Sequence, residues 1–152
     1  MRHYKSFRLP HGTKTRLLTA LAHYPWRVPL AQAEWRQTLL SDLLGEQAAH
    51  ATMTAVLQRA AQVLGQPWRA QEFSGVLHWG SAQEVPRHAD NLAKTCFLIP
   101  LRSPKTLAFF EGDQQCLLAN KRLIRFNDFE DHGLSNPQRG HFCLLTLSRD
   151  RV

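Results

Sequence analysis

The sequence predicts an α+β fold: a double-stranded β-helix (jelly roll) with N-terminal helices packed on one of its sheets. Two observations predict it. Apolar residues recur at helical spacing in the first half of the chain, and from Trp68 onward short runs rich in Val, Ile, Leu and Phe alternate with turn residues. Such runs are typical of an antiparallel sheet. With 152 residues, we expect one domain, mainly helical over 1–70 and jelly roll over 71–152.

The helical part contains three candidate helices. Residues 15–23 are predicted to form a short one. Residues 32–44, which Gly45 follows, carry an apolar stripe whose members are Trp35, Leu39, Leu40, Leu43 and Leu44. Residues 47–64 have the same periodicity over a longer stretch and end before a glycine. We expect these helices to cover one face of the sheet with their apolar stripes.

The second half contains short apolar runs separated by turns. The predicted strands are 72–79, 94–101, 106–110, 115–118, 122–126 and 141–148. Glu111-Gly-Asp113 is a turn between two of them. Pro100 cannot donate a backbone hydrogen bond, which predicts that it lies at an edge or a bulge.

Composition limits the class of protein. The three cysteines form no CxxC pair, so a structural zinc site or disulfide framework is not expected, and a reducing cytoplasm fits. No apolar run is long enough to span a membrane, and the basic N-terminus lacks the apolar stretch of a signal peptide. The net charge of +7 permits a nucleic-acid partner, but the basic residues are spread along the chain, which favours a solvated basic surface.

The chemistry is expected at His88 and Asp90. Residues two apart on an extended chain point to the same side, so an imidazole and a carboxylate can reach one point. Two histidines and one carboxylate form the facial triad of non-heme Fe(II) enzymes. An isolated HxD pair occurs often by chance, but here it follows a strand ending at Gly80 and precedes further strands, His132 and Arg139.

This order of strands and motifs resembles the 2-oxoglutarate and Fe(II)-dependent oxygenases over roughly residues 72–148. The resemblance implies that His88, Asp90 and His132 bind Fe(II), with 2-oxoglutarate and O2 as cosubstrates and hydroxylation as the outcome. Residues 85–91 are similar to the prolyl hydroxylase version of the motif. Residues 99–101, 111–113 and 126–128 are similar to the aspartyl/asparaginyl β-hydroxylase branch. Both imply an amino acid as substrate, free or within a protein or peptide.

In the family that the chain resembles, a basic residue after the second histidine holds the far carboxylate of 2-oxoglutarate. Arg139 occupies roughly that place, and a guanidinium pairs bidentately with a carboxylate. Its spacing from His132 is shorter than usual, and the usual spacing falls on His141 or Phe142. Arg102 and Arg125 are further candidates.

A second difference lies on the strand before the HxD pair. Many members of the family have a tyrosine there that bonds the cosubstrate, whereas this chain has His78 and Trp79. Trp79 fits core packing and the site equally well.

Two other functions are compatible with the sequence. A non-catalytic cupin-like β-barrel that binds a metal or a sugar would also use histidine and carboxylate, but without affinity for 2-oxoglutarate. A small basic nucleic-acid-binding module would bind in a salt-sensitive manner and need no metal.

Overall fold

The computed structural model describes residues 2–24, 34–65, 67–89, 94–120, 122–127 and 131–150. Within these ranges, strands form two antiparallel sheets, and helices lie against the larger one. In chain order the elements are β1 (Arg2–Ser6), α1 (Thr13–His23), β2 (Trp35–Leu39), α2 (Leu40–Leu44), α3 (Glu46–Leu64), β3 (Ser74–Gly80), β4 (Glu84–His88), β5 (Lys94–Arg102), β6 (Ala108–Glu111), β7 (Gln114–Leu117), β8 (Arg122–Asn127), β9 (His132–Ser135) and β10 (Phe142–Asp150), with short 3-10 helices at Ala70–Glu72 and Leu118–Asn120.

The strand order is that of a jelly roll. The larger sheet has the order β1-β8-β5-β10-β3-β2, and the smaller sheet has the order β4-β9-β6-β7. The chain passes from one sheet to the other at β3–β4, β4–β5, β5–β6, β7–β8, β8–β9 and β9–β10, which is how two sheets are built up in this architecture. The predicted fold class, a jelly roll with helices on one sheet, is confirmed.

The larger sheet is buried on both faces. On β10, Cys143, Leu145 and Leu147 face the helices, whereas Phe142 and Leu144 face the smaller sheet. Side chains of one strand alternate between the two faces, so both sets must be apolar. This explains why the central strands are nearly continuous apolar runs in the sequence.

The longest helix matches its prediction closely. It covers Glu46–Leu64, buries Met53, Val56 and Leu57 against the sheet, and ends at Gly65, whose φ of 73° is left-handed. The short helix predicted over 15–23 is also confirmed, as Thr13–His23. In the part of the chain that the structure describes, no helix combines the length and apolarity needed to cross a membrane.

The helix predicted over residues 32–44 is wrong for much of its length. Trp35–Leu39 is a strand at the edge of the larger sheet, and only Leu40–Leu44 is helical, while residues 32 and 33 lie outside the described ranges. In so short a segment, the spacing of the apolar residues fits the period of a helix and that of a strand equally well. Pairing with β3, from Trp35 opposite Gly80 to Leu39 opposite Val76, satisfies backbone groups at the edge of β3.

The six predicted strands are confirmed. Within the described ranges four further strands were not predicted: β1, β4, β9, and β2, which was predicted as helix. β4 contains Pro86, which an edge strand tolerates, and β9 is four residues long and contains Gly133. Pro100 lies in the interior strand β5 rather than at an edge, and the register shift of β10 between Cys143 and Leu144 lies opposite it. The prediction of a bulge is therefore correct there, and the alternative of an edge is not.

Candidate functional site

A cavity of about 670 Å³ lies between the two sheets. Its walls are the inward-facing side chains of strands from both sheets, and most of them are apolar. Among the described residues, those lining it are Trp35, Gln37, Val76, His78, Val85, Pro86, His88, Cys96, Leu98, Phe109, Phe126, His132, Gly133, Leu134, Leu144, Thr146 and Ser148. Cavities of roughly 300–1,000 Å³ hold small organic molecules.

His88 and His132 meet on one wall of this cavity. They are register partners on β4 and β9, and their ring centroids are 4.4 Å apart with an interplanar angle of 57°. A shift in the β4–β9 register between Val85 and His88 precedes the pair. A Cβ on Gly133 would lie 2.6 Å from the carbonyl oxygen of Val85, so glycine is needed where these strands approach each other.

Aromatic rings hold the His132 side chain in place. It is 7% exposed, and its ring centroid lies 5.2 Å from that of Phe126 and 6.3 Å from that of Phe109. A ring packed in this way has little rotational freedom.

A backbone carbonyl sets the tautomer of His88. Its Nδ1 lies 2.9 Å from the carbonyl oxygen of Pro86. A carbonyl oxygen only accepts hydrogen bonds, so Nδ1 donates, and Nε2 is the acceptor nitrogen of the neutral ring. Metal-binding histidines are commonly oriented by such a bond from the second nitrogen.

His78 is a third imidazole in the cavity. Burial, and then the nearby charge of His88, lower its pKa from 6.5 to about 4, so the ring is neutral at neutral pH. It stacks on Trp35, with centroids 6.3 Å apart and planes 15° from parallel. Trp79, which the sequence left open between core and site, belongs to the core on the helix side of the sheet.

The sequence interpretation missed Glu111 and Trp35 as residues of this region. Glu111 was assigned to a turn, but it ends β6, is 5% exposed and is the register partner of His132. The alternation of Phe109 and Glu111 on one strand face was the available signal. Trp35 was assigned to a helix stripe, and only its pairing opposite Gly80 turns it towards the cavity.

Asp90, the predicted carboxylate ligand, lies outside the described residues. Within the described ranges, no group of three or more His, Cys, Asp or Glu is arranged to hold a metal ion. The donors that the described structure brings together are therefore two imidazoles. Imidazole is a ligand for iron, zinc, copper and nickel, so the residues present fit part of a transition-metal site.

Arg139, the predicted anchor of 2-oxoglutarate, lies in the turn before β10. Its side chain is exposed, its φ is 52°, and its Nη2 donates to Oε1 of Gln83 at 3.5 Å. It does not belong to the described cavity lining. Its role as an anchor stays a prediction.

The alternative anchors also lie away from the described lining. Arg102 and His141 are exposed, and Arg125 has its guanidinium 5.7 Å from the ring centroid of Trp68, which packs on the helix-side core. Of the described residues that line the cavity, none is lysine or arginine. A carboxylate bound there would meet no ammonium or guanidinium group among the described side chains.

No protein-family model and no curated protein matches this chain. Similar solved structures include an RmlC-like cupin protein from Desulfovibrio desulfuricans, with 13% identity, a TM-score of 0.49, and coverage of 84% of this chain and 92% of that one. A cupin superfamily protein from Desulfitobacterium hafniense has 12% identity, a TM-score of 0.44, and coverage of 84% and 94%. A conserved protein of unknown function from Streptococcus pyogenes has 11% identity, a TM-score of 0.47, and coverage of 86% and 91%. At such identities no residue role passes from these proteins to this chain.

Proposed function

We propose that this protein is an Fe(II)-dependent oxygenase of the 2-oxoglutarate class, in which His88, Asp90 and His132 hold the metal. The observation that supports the proposal is the pairing of His88 with His132, whose ring centroids are 4.4 Å apart on the wall of an apolar cavity. Asp90 follows His88 by two residues, the spacing that would bring its carboxylate to the same side of an extended chain.

The residues around the pair suit a metal ion that must meet an organic substrate. The carbonyl of Pro86 holds His88 in the tautomer whose Nε2 can bind a metal, and Phe109 and Phe126 fix His132 while excluding water. Bound there, Fe(II) would supply O2 activation and the oxidation of a substrate C–H bond.

The described residues fit 2-oxoglutarate less well than they fit a metal ion. The far carboxylate of this cosubstrate needs a cation, and the described cavity lining contains neither lysine nor arginine. The motif of the sequence alone therefore supports 2-oxoglutarate as the cosubstrate.

The test is anaerobic titration of the protein with Fe(II) and then with 2-oxoglutarate, following the visible charge-transfer band of the chelate. The proposal expects a band that is absent in His132→Ala and retained in His50→Ala, a histidine exposed on α3. If Fe(II) does not bind, the metal site and the proposed function are wrong.

A second candidate is a non-catalytic, cupin-like metal-binding protein. The described cavity lining contains no lysine or arginine side chain that could hold a cosubstrate carboxylate, which favours this candidate. It predicts that Fe(II) binds without any band on addition of 2-oxoglutarate and that O2 is not consumed. If the band does appear, Arg139→Ala and Arg102→Ala identify the anchor, since only the substitution of the true anchor weakens cosubstrate affinity.

A further inference from the structure

We infer that the substrate received by the cavity is an uncharged molecule with a planar ring rather than a zwitterionic amino acid or an organic anion. This inference rests on the proposed function in one respect, that the bound molecule is a substrate. The amino-acid class implied by the motif is thereby replaced by a different substrate class. Three properties of the described lining support the inference: its charge, the aromatic platform formed by Trp35 and His78, and its size.

The first property is that the described lining contains no carboxylate, ammonium or guanidinium group. Of the described residues that line the cavity, none is Asp, Glu, Lys or Arg; three are histidines, and the other polar ones are Gln37, Thr146 and Ser148. A carboxylate or an ammonium placed against the described side chains loses its hydration and meets no Lys, Arg, Asp or Glu to pair with. Uncharged molecules lose much less hydration free energy on entering the cavity.

The second property is a flat surface at the opening. Trp35 lines the cavity and is also 42% exposed, so it lies where the cavity meets solvent. Its ring stacks nearly parallel on His78, which lies deeper, on the adjacent strand β3. An exposed indole backed by a second ring offers a planar face for stacking, which a planar ligand uses better than a puckered one.

The third property is size. A volume of about 670 Å³ lies within the range of cavities that hold one small organic molecule. Because Phe109, Phe126 and several aliphatic side chains supply most of the remaining wall, a molecule of one or two fused rings gains from burial there.

The experiment is calorimetric titration of the full-length chain, stripped of metal by a chelator, with four probes at neutral pH. Naphthol is uncharged and planar, decahydronaphthol is uncharged and puckered, naphthoate is anionic and naphthylalanine is zwitterionic. We expect naphthol to bind at least about 100-fold more tightly than the two charged probes, since these bury an unpaired charge. We expect it to bind between about 2-fold and 10-fold more tightly than decahydronaphthol.

Variants of one edge strand test the platform. Trp35→Ala should weaken naphthol binding and remove its advantage over decahydronaphthol, and Trp35→Phe should restore part of it. Leu39→Ala is the matched control, because Leu39 lies on the same strand, is 47% exposed and does not belong to the described lining. A further variant, Thr146→Lys, places a cation in the wall and should raise the affinity for naphthoate.

The outcomes separate this inference from the proposed function. Tighter binding of naphthoate or naphthylalanine than of naphthol would overturn the inference, as would equal binding of naphthol by Trp35→Ala and the natural chain, or no binding of naphthol. Because the protein is metal-free in these titrations, none of these results depends on Fe(II). Failure of Fe(II) to bind in the separate titration would instead remove the oxygenase and leave the ligand preference standing.

Discussion

His88 and His132 are register partners on neighbouring strands, and their ring centroids are 4.4 Å apart although 44 positions separate them in the sequence. The β4–β9 pairing that joins them passes through Gly133, where a side chain would collide with the Val85 carbonyl. The metal site proposed for this chain therefore depends on the pairing of two short strands.

Replacement of either histidine should abolish metal binding with little change of fold. We expect His88→Ala to lower Fe(II) affinity by more than about 100-fold, because loss of a ligand exceeds the roughly 10- to 100-fold effect of losing a residue that only orients one. Anaerobic equilibrium dialysis measures the affinity, and His50→Ala, exposed on α3, serves as the control. Unchanged iron binding by His88→Ala would contradict the assignment.

Gly133→Ala should separate β4 from β9. Its Cβ would lie 2.6 Å from the Val85 oxygen and 3.2 Å from the Arg87 nitrogen, both backbone atoms that cannot move independently. We expect a loss of about 1–3 kcal/mol in the free energy of unfolding, measured with urea. Gly75→Ala is the comparison, since its added Cβ would meet side-chain atoms of Leu40 and Met53 at 3.1–3.3 Å rather than a backbone atom at 2.6 Å, so a smaller loss is expected. Equal losses of unfolding free energy in the two variants would contradict the claim that the close approach of β4 and β9 requires glycine at position 133.

Stability should fall in mild acid because of His78. The pKa of His78 is about 4 in the folded protein against an ordinary 6.5. Above pH 6.5 the ring is therefore neutral in both the folded and the unfolded chain, and its titration does not change the free energy of unfolding. As pH falls from 6.5 towards 4, the unfolded chain takes up a proton that the folded site resists, which lowers stability by up to about 3 kcal/mol. Urea unfolding of the metal-free protein at a series of pH values measures this. His78→Gln should flatten the profile across that window and His50→Gln should not; a profile unchanged in His78→Gln would refute the assignment.

Arg149 should stabilise the fold through stacking more than through its ion pair. Its guanidinium lies 4.4 Å from the ring centroid of Trp68 and 5.7 Å from that of Phe73, while its Nη1 lies 3.1 Å from a carboxylate oxygen of Glu72. The ion pair is partly solvated, with side chains 28% and 41% exposed, so Glu72→Gln should cost less than about 0.5 kcal/mol. Arg149→Ala should cost about 1–2 kcal/mol, because stacking and the packing of the aliphatic stem are lost as well. Thermal unfolding of both variants decides, and a larger loss in Glu72→Gln would reverse the ranking.

The sequence by itself determined the layers of this protein. The sequence signal is clear for four elements: the apolar stripe of α3 and the apolar runs of β3, β5 and β10. Each of them is buried along its length, so that its local composition reflects its environment directly. The sequence also singled out His88 and His132, since the spacing of the motif and the order of strands are properties of the chain.

Tertiary structure alone decided the features that depend on pairing. The apolar pattern of Trp35–Leu39 is compatible with a helix. The segment is a strand because the edge of β3, from Gly80 to Val76, offers it backbone hydrogen-bond partners. The same pairing stacks Trp35 on His78, and the β6–β9 register sets Glu111 opposite His132. These contacts join residues far apart in the sequence, and neither member of a pair carries a local signal of the other, so only the folded chain could reveal them.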